Sequence, residues 1–72
     1  MQRYFVTPEQ IRGGRVELAG DDAFHLLRVM RAAPGEKVIV CDGAGRECVC
    51  ELAAAEKDRA RLAVLEERRS AG

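Results

Sequence analysis

One short segment of the sequence carries most of the side chains that could bind a charged ligand. His25, Arg28 and Arg31 recur there at spacings of three residues. In a helix, Arg28 lies one turn from His25 on the polar face, and Arg31 flanks the apolar face. Guanidinium groups suit phosphate oxygens and an imidazole can stack on a base, so the segment indicates RNA contact. A solvated helix face whose arginines complement the helix dipole is the alternative, and periodicity alone favours it.

Three cysteines, Cys41, Cys48 and Cys50, raise the question of a metal site. A four-residue hairpin loop between them would place all three on one face of the sheet, with His25 as a conceivable fourth ligand. Structural zinc sites, however, typically separate paired cysteines by roughly two to four residues, and a single intervening residue on a strand spreads the ligands apart. We therefore predict no metal, and we interpret the thiols as small buried hydrophobic side chains in a reducing compartment.

No combination of side chains points to catalysis. The only serine is Ser70, near the C-terminus, and no nucleophile or carboxylate stands beside His25 in the sequence. Asp21 and Asp22 are paired carboxylates, but their place at the start of a predicted helix makes them capping residues first. We predict that the chain contains no catalytic residue.

The composition limits what the chain can be. With 72 residues, 47% of them hydrophobic, the chain is expected to form one folded domain around a single core. Its 12 Lys and Arg balance 12 Asp and Glu, so any RNA contact must come from local clustering of charge. No stretch has the apolar length of a signal peptide or a membrane span, which predicts a cytoplasmic protein with no membrane partner.

The candidate ligand-binding residues belong to the strongest predicted helix, which covers residues 22–32. Asp22 is expected to cap its start, and Pro34 prevents its continuation. At about 100° per residue, His25 points away from the apolar arc of this helix. The side chains in that arc, which we expect to be buried, are Ala23, Leu26, Leu27 and Met30.

Short strands are predicted on both sides of the helix. A turn of helix at Thr7–Gln10 and a hairpin loop at Asp42–Gly45 connect some of them. These elements predict a mainly β (α+β) fold, in which a small barrel of about five or six strands over residues 1–66 has one end covered by the helix, and residues 67–72 form a linker. The predicted strands cover residues 3–6, 15–19, 36–41, 46–53 and 59–66.

Several motifs occur in a fixed order along nearly the whole chain. After an opening Arg3-Tyr4-Phe5 come His-Leu-x-x-Val-Met-Arg at 25–31, Gly-Glu-x-Val at 35–38 and Asp-Gly-x-Gly at 42–45. In this order the motifs resemble the start of the bacterial 16S ribosomal RNA (uracil-N3) methyltransferase family. The residues that carry the resemblance are Arg3, Tyr4, Phe5, His25, Val29, Met30, Arg31, Gly35, Glu36, Asp42 and Gly43.

The resemblance implies a PUA-like barrel that binds 16S ribosomal RNA of the small ribosomal subunit. In that family a second, knotted domain binds S-adenosylmethionine, forms the homodimer and methylates N3 of one uridine. That domain is absent from these 72 residues, so we expect the chain to hold no cofactor and to be inactive alone. A stand-alone RNA-binding or ribosome-binding barrel, and a protein-interaction module without catalytic context, remain alternatives.

The resemblance also assigns roles to single residues. Arg3, His25 and Arg31 match the family pattern and are predicted to face RNA, whereas Arg28 is predicted from helix geometry alone. With zero net charge, the isolated chain is expected to bind RNA only weakly. The residues expected to set the geometry of turns, and not to touch a ligand, are Gly35, Asp42 and Gly43.

Overall fold

The computed structural model describes residues 3–69, and just over half of them lie in strands. A 3-10 turn, Pro8–Gln10, follows the first strand, and one helix, Gly20–Val29, follows the third. The six strands are β1 (Arg3–Phe5), β2 (Ile11–Arg12), β3 (Arg15–Ala19), β4 (Lys37–Cys41), β5 (Arg46–Ala55) and β6 (Arg59–Arg69).

All six strands form one sheet in the order β1-β4-β5-β6-β3-β2. The β1–β4 pair is parallel and the other pairs are antiparallel. The register between β5 and β6 shifts at two places, and such bulges increase local twist, so the sheet curls into half a barrel. The predicted mainly β fold with one main helix is confirmed, although β2 was not predicted.

The core lies on the concave side of the sheet. Val16 and Leu18 alternate with exposed residues along β3, and they pair with Leu62 and Ala60 of β6. This alternation of period two buries one face of each strand. The helix covers the core with Ala23 and Leu26. The other core side chains are Tyr4, Val6, Val38, Val40, Cys48, Cys50 and Leu52.

The helix differs from the prediction at both ends. It begins as an α-helix at Gly20, with Ala19 as N-cap, and no side chain makes the capping hydrogen bond expected from Asp22. From His25 to Val29 it widens into a π-helical turn, in which the Met30 amide donates to the His25 carbonyl at 2.8 Å. One more residue per turn rotates the following side chains. Met30, predicted to be buried, is therefore 41% exposed.

Two further predictions of detail were wrong. The last strand continues to Arg69, three residues beyond the predicted end at Glu66, because its backbone pairs with the start of β5. Cys41 does not share a face with Cys48 and Cys50. It pairs with Glu47, whereas Cys48 pairs with Val40 in the adjacent register, so the thiols divide between the two faces of the sheet.

Within residues 3–69, no helix has both the length and the apolar character needed to cross a membrane.

Candidate RNA interface

His25 is anchored to the first strand. Its Nδ1 lies 2.8 Å from the hydroxyl oxygen of Tyr4, and the two rings meet edge to face with centroids 5.8 Å apart. Tyr4 is itself buried in the core, since it occupies the inward position of β1. The half-buried imidazole is therefore fixed in position rather than free in solvent, as its predicted place on the polar face had suggested.

The electrostatics of the pair leave one ring nitrogen for a ligand. Burial, followed by the negative charge of Asp22, raises the pKa of Tyr4 above its ordinary value of 10.0. Its hydroxyl therefore stays protonated at neutral pH and can donate to Nδ1 of a neutral imidazole, or accept from Nδ1 of a protonated one. In residues 3–69 nothing hydrogen-bonds Nε2, so that atom remains available to an RNA oxygen or base.

Arg28 and Arg31 lie at the end of the same helix and are both exposed. No carboxylate in the described chain pairs with either guanidinium. Arg31 adopts a left-handed backbone conformation with φ of 52°, while the following amide, of Ala32, donates to the Leu26 carbonyl at 3.0 Å. This arrangement closes the helix in the way that glycine usually does. Two uncompensated positive charges thus project where the helix ends.

Arg3 lies apart from this group. It occupies an outward position of β1, next to the inward-pointing Tyr4, and its guanidinium is 3.6 Å from the carboxylate of Glu47. The helix packs on the inner face of the sheet, so the structure brings His25, Arg28 and Arg31 to one element and leaves Arg3 on the outer face. An RNA ligand would have to pass the edge of β1 to reach all four.

The predicted turn residues occupy tight connections. Gly35 and Gly43 have φ of 94° and 76°, a conformation that L side chains rarely adopt. One carboxylate oxygen of Asp42 accepts hydrogen bonds from the amides of Ala44 and Arg46 at 2.8 and 3.1 Å. These contacts explain the conformation of the loops without any ligand.

Sequence reasoning missed two residues beside the helix. Phe24 is 61% exposed and shares a cleft with Arg28 and with Lys57 from the turn between β5 and β6. A helical spacing of four residues between Phe24 and Arg28 could have signalled their proximity. No sequence signal points to Lys57, because it is distant in the chain and only the fold brings it to the helix.

A second cleft, about 800 Å³ in volume, also contains arginines but differs in charge balance. Arg12, Arg15 and Arg61 line it together with Glu9 and Glu17. Arg61 is paired with Glu17 at 3.8 Å and with a further glutamate at 3.1 Å. Because these carboxylates neutralise much of the positive charge, the larger cleft is the weaker candidate for phosphate binding.

Comparison with known proteins identifies relatives of the whole described fold. A family model of the RNA methyltransferase PUA domain matches residues 18–65. Ribosomal RNA small subunit methyltransferase E of Bacillus subtilis (strain 168) is 36% identical over 69 residues, which are 92% of this chain and 27% of that protein.

Solved structures show the same similarity. A ribosomal RNA small subunit methyltransferase E from Neisseria gonorrhoeae, bound to S-adenosyl methionine, is 31% identical with a TM-score of 0.78, covering 94% of this chain and 28% of that one. A probable rRNA-methyltransferase from Porphyromonas gingivalis shares the fold at 21% identity, with a TM-score of 0.82 over 99% of this chain and 29% of its own.

The chain thus spans little more than a quarter of the length of these relatives. The stretch that matches the family model contains the helix and its three candidate ligand-binding residues, together with β4, β5 and most of β6. The resemblance seen in the sequence motifs is confirmed, and the chain belongs to the RNA methyltransferase PUA domain family.

Proposed function

We propose that this chain is the RNA-recognition domain of an S-adenosylmethionine-dependent methyltransferase that modifies N3 of a uridine in 16S ribosomal RNA. The printed names of the relatives support the reaction class, the ribosomal substrate and the cofactor. One observation in this chain carries the proposal, namely the unpaired arginines Arg28 and Arg31 on the same helix as the anchored His25.

The division of labour follows from these side chains. Arginine forks at the helix end would hold phosphate oxygens, and Nε2 of His25 would contact a neighbouring sugar or base. Such contacts fix the position of the RNA, while a separate domain that binds the cofactor and forms a homodimer would carry out methyl transfer. A cytoplasmic location and inactivity of the chain alone belong to the same proposal.

The RNA contacts are tested by binding of a labelled single-stranded fragment of 16S RNA to the 72-residue chain. At low salt we expect weak binding, and we expect Arg28→Ala/Arg31→Ala to reduce affinity roughly tenfold, about the worth of one charged hydrogen bond. The slope of log affinity against log salt should fall by about 1.4, since each phosphate contact to a single strand contributes about 0.7.

A matched control removes the same charge elsewhere. Arg61 and Arg68 are as exposed as a typical surface arginine, and each is paired with a glutamate, at 3.1 and 3.4 Å respectively. Arg61→Ala/Arg68→Ala should therefore leave affinity nearly unchanged. An equal loss in both double variants would show that binding follows net charge and not the helix end. The assignment of the modified atom fails if 16S RNA keeps its full N3-methyluridine content, measured by mass spectrometry, after deletion of the gene.

A further inference from the structure

The helix exposes an aromatic ring that packs against nothing comparable. Phe24 is 61% exposed, and the only pair of aromatic rings in contact within residues 3–69 is Tyr4 with His25. The neighbouring Ala23 is fully buried, so the helix is docked in the orientation that its core side chains require. Docking of the core face therefore leaves the Phe24 ring uncovered.

Phe24 forms one wall of an open cleft between the helix and the turn that joins β5 to β6. The cleft has a volume of about 580 Å³, which lies within the usual range for sites that hold small organic groups. Ala23 and Leu27 supply further apolar lining. A flat, apolar ring beside such a lining is the surface on which a nucleobase stacks.

The rim of the same cleft is charged in two ways. Arg28 and Lys57 provide cations, and Asp21 and Asp58 provide carboxylates. None of the four forms an ion pair within the described part of the chain. Cations suit a phosphate, and a carboxylate accepts hydrogen bonds from the amino group of a base. A nucleotide carries both partners, whereas an apolar peptide or a lipid tail carries neither.

We propose that an unpaired RNA base stacks on Phe24, with Arg28 and Lys57 holding the adjacent phosphate. This inference rests on the proposed function, and it adds the mode of recognition and two residues, Phe24 and Lys57. Sequence-specific recognition of RNA depends on unpaired bases that stack on aromatic side chains. The domain would therefore select a single-stranded segment, not a duplex.

The experiment measures fluorescence anisotropy of a labelled single-stranded RNA of about 12 nucleotides, a length within the range of small RNA-binding domains. Phe24→Ala should weaken binding on the order of tenfold, without changing the salt slope because no charge is removed. Phe24→Trp should keep the affinity. Phe5→Ala is the matched control, because Phe5 is 67% exposed on the outer face of β1.

The outcomes separate this inference from the function on which it rests. Loss in Phe24→Ala alone, together with a salt slope lowered by about 0.7 in Lys57→Ala, supports stacking in the cleft. If Phe24→Ala binds as the wild type does while Arg28→Ala/Arg31→Ala binds weakly, stacking is wrong and RNA recognition stands. Equal losses in Phe24→Ala and Phe5→Ala also overturn it. If the wild type binds no RNA at low salt, both proposals fail.

Discussion

The end of the helix and the hairpin between β4 and β5 both place arginine beside a tight turn, yet they treat its charge in opposite ways. In the hairpin, Arg46 lies 3.1 Å from a carboxylate oxygen of Asp42 and 3.1 Å from one of Glu67. At the helix end, Arg28 and Arg31 have no such partners in residues 3–69. The first arrangement satisfies a fold, and the second leaves charge for a ligand.

The turns differ in the same sense. Gly43 supplies the positive φ that the hairpin requires, so its backbone is unstrained. At the helix end the positive φ falls on Arg31, where an L side chain costs free energy. Unfavourable backbone and uncompensated charge coincide at the helix end, which is where strained conformations concentrate when a site has a function.

The largest expected effect concerns how the helix end is held. Leu26 is 1% exposed in the core, so Leu26→Ala should lower the free energy of unfolding by about 3 kcal/mol through lost burial and a cavity. Met30→Ala, on an exposed side chain, should change it by less than about 0.5 kcal/mol. Urea denaturation measures both. A Met30 effect as large as that of Leu26 would mean that the helix is regular and buried through residue 30, as the sequence predicted.

A smaller effect separates strain from charge at the helix end. Arg31→Gly should raise the free energy of unfolding by up to about 1 kcal/mol, because glycine adopts a positive φ without a Cβ clash. It should also weaken RNA binding, because the guanidinium is lost. Arg31→Ala is the control, since it loses the guanidinium but keeps the strain. If Arg31→Gly left RNA affinity intact, the contrast between the two turns would have no functional meaning.

The smallest effect is a pH dependence at the hairpin. A hydrogen bond from the Ala44 amide, together with contacts to Arg46, lowers the pKa of Asp42 from its ordinary value of 3.8. The contribution of this carboxylate to stability is therefore complete above 3.8 and is lost as pH falls through the lower, folded-state pKa. Asp42→Asn should remove that contribution. Urea denaturation of both proteins between about pH 6 and pH 2.5 should give curves that converge towards acid pH, and parallel curves would contradict the assignment.

The strands were largely predictable because their cause is local. The alternation in Arg15–Ala19 and the glycines of the Asp42–Gly45 loop act over a few residues, and both elements form as predicted. The helix was predictable as an element but not in its pitch. Its π turn depends on how Leu26 and Ala23 dock on the sheet, so helical periodicity failed at Met30. Likewise β2 has only two residues, too few for a pattern.

The candidate site was predictable in part. The motif around His25 identified the correct helix and its two arginines, and the family comparison places that helix within the matched region. The Tyr4 hydroxyl that anchors His25 is 21 residues away in the sequence, and the ion pair that draws Arg3 to Glu47 spans an even longer separation. No local rule reports such contacts, because they exist only when the sheet has curled.

The sequence by itself determined the elements, the family and the supply of arginines, since side-chain type and short spacing are sufficient for each. Only the tertiary structure decided which arginines remain uncompensated, because pairing depends on carboxylates brought from distant strands, as Glu67 is brought to Arg46. It also decided that Phe24 and Lys57 face one cleft, since packing of the helix against the sheet fixes both positions. Proximity in space, which sets both charge balance and accessibility, is the physical property that a linear pattern does not contain.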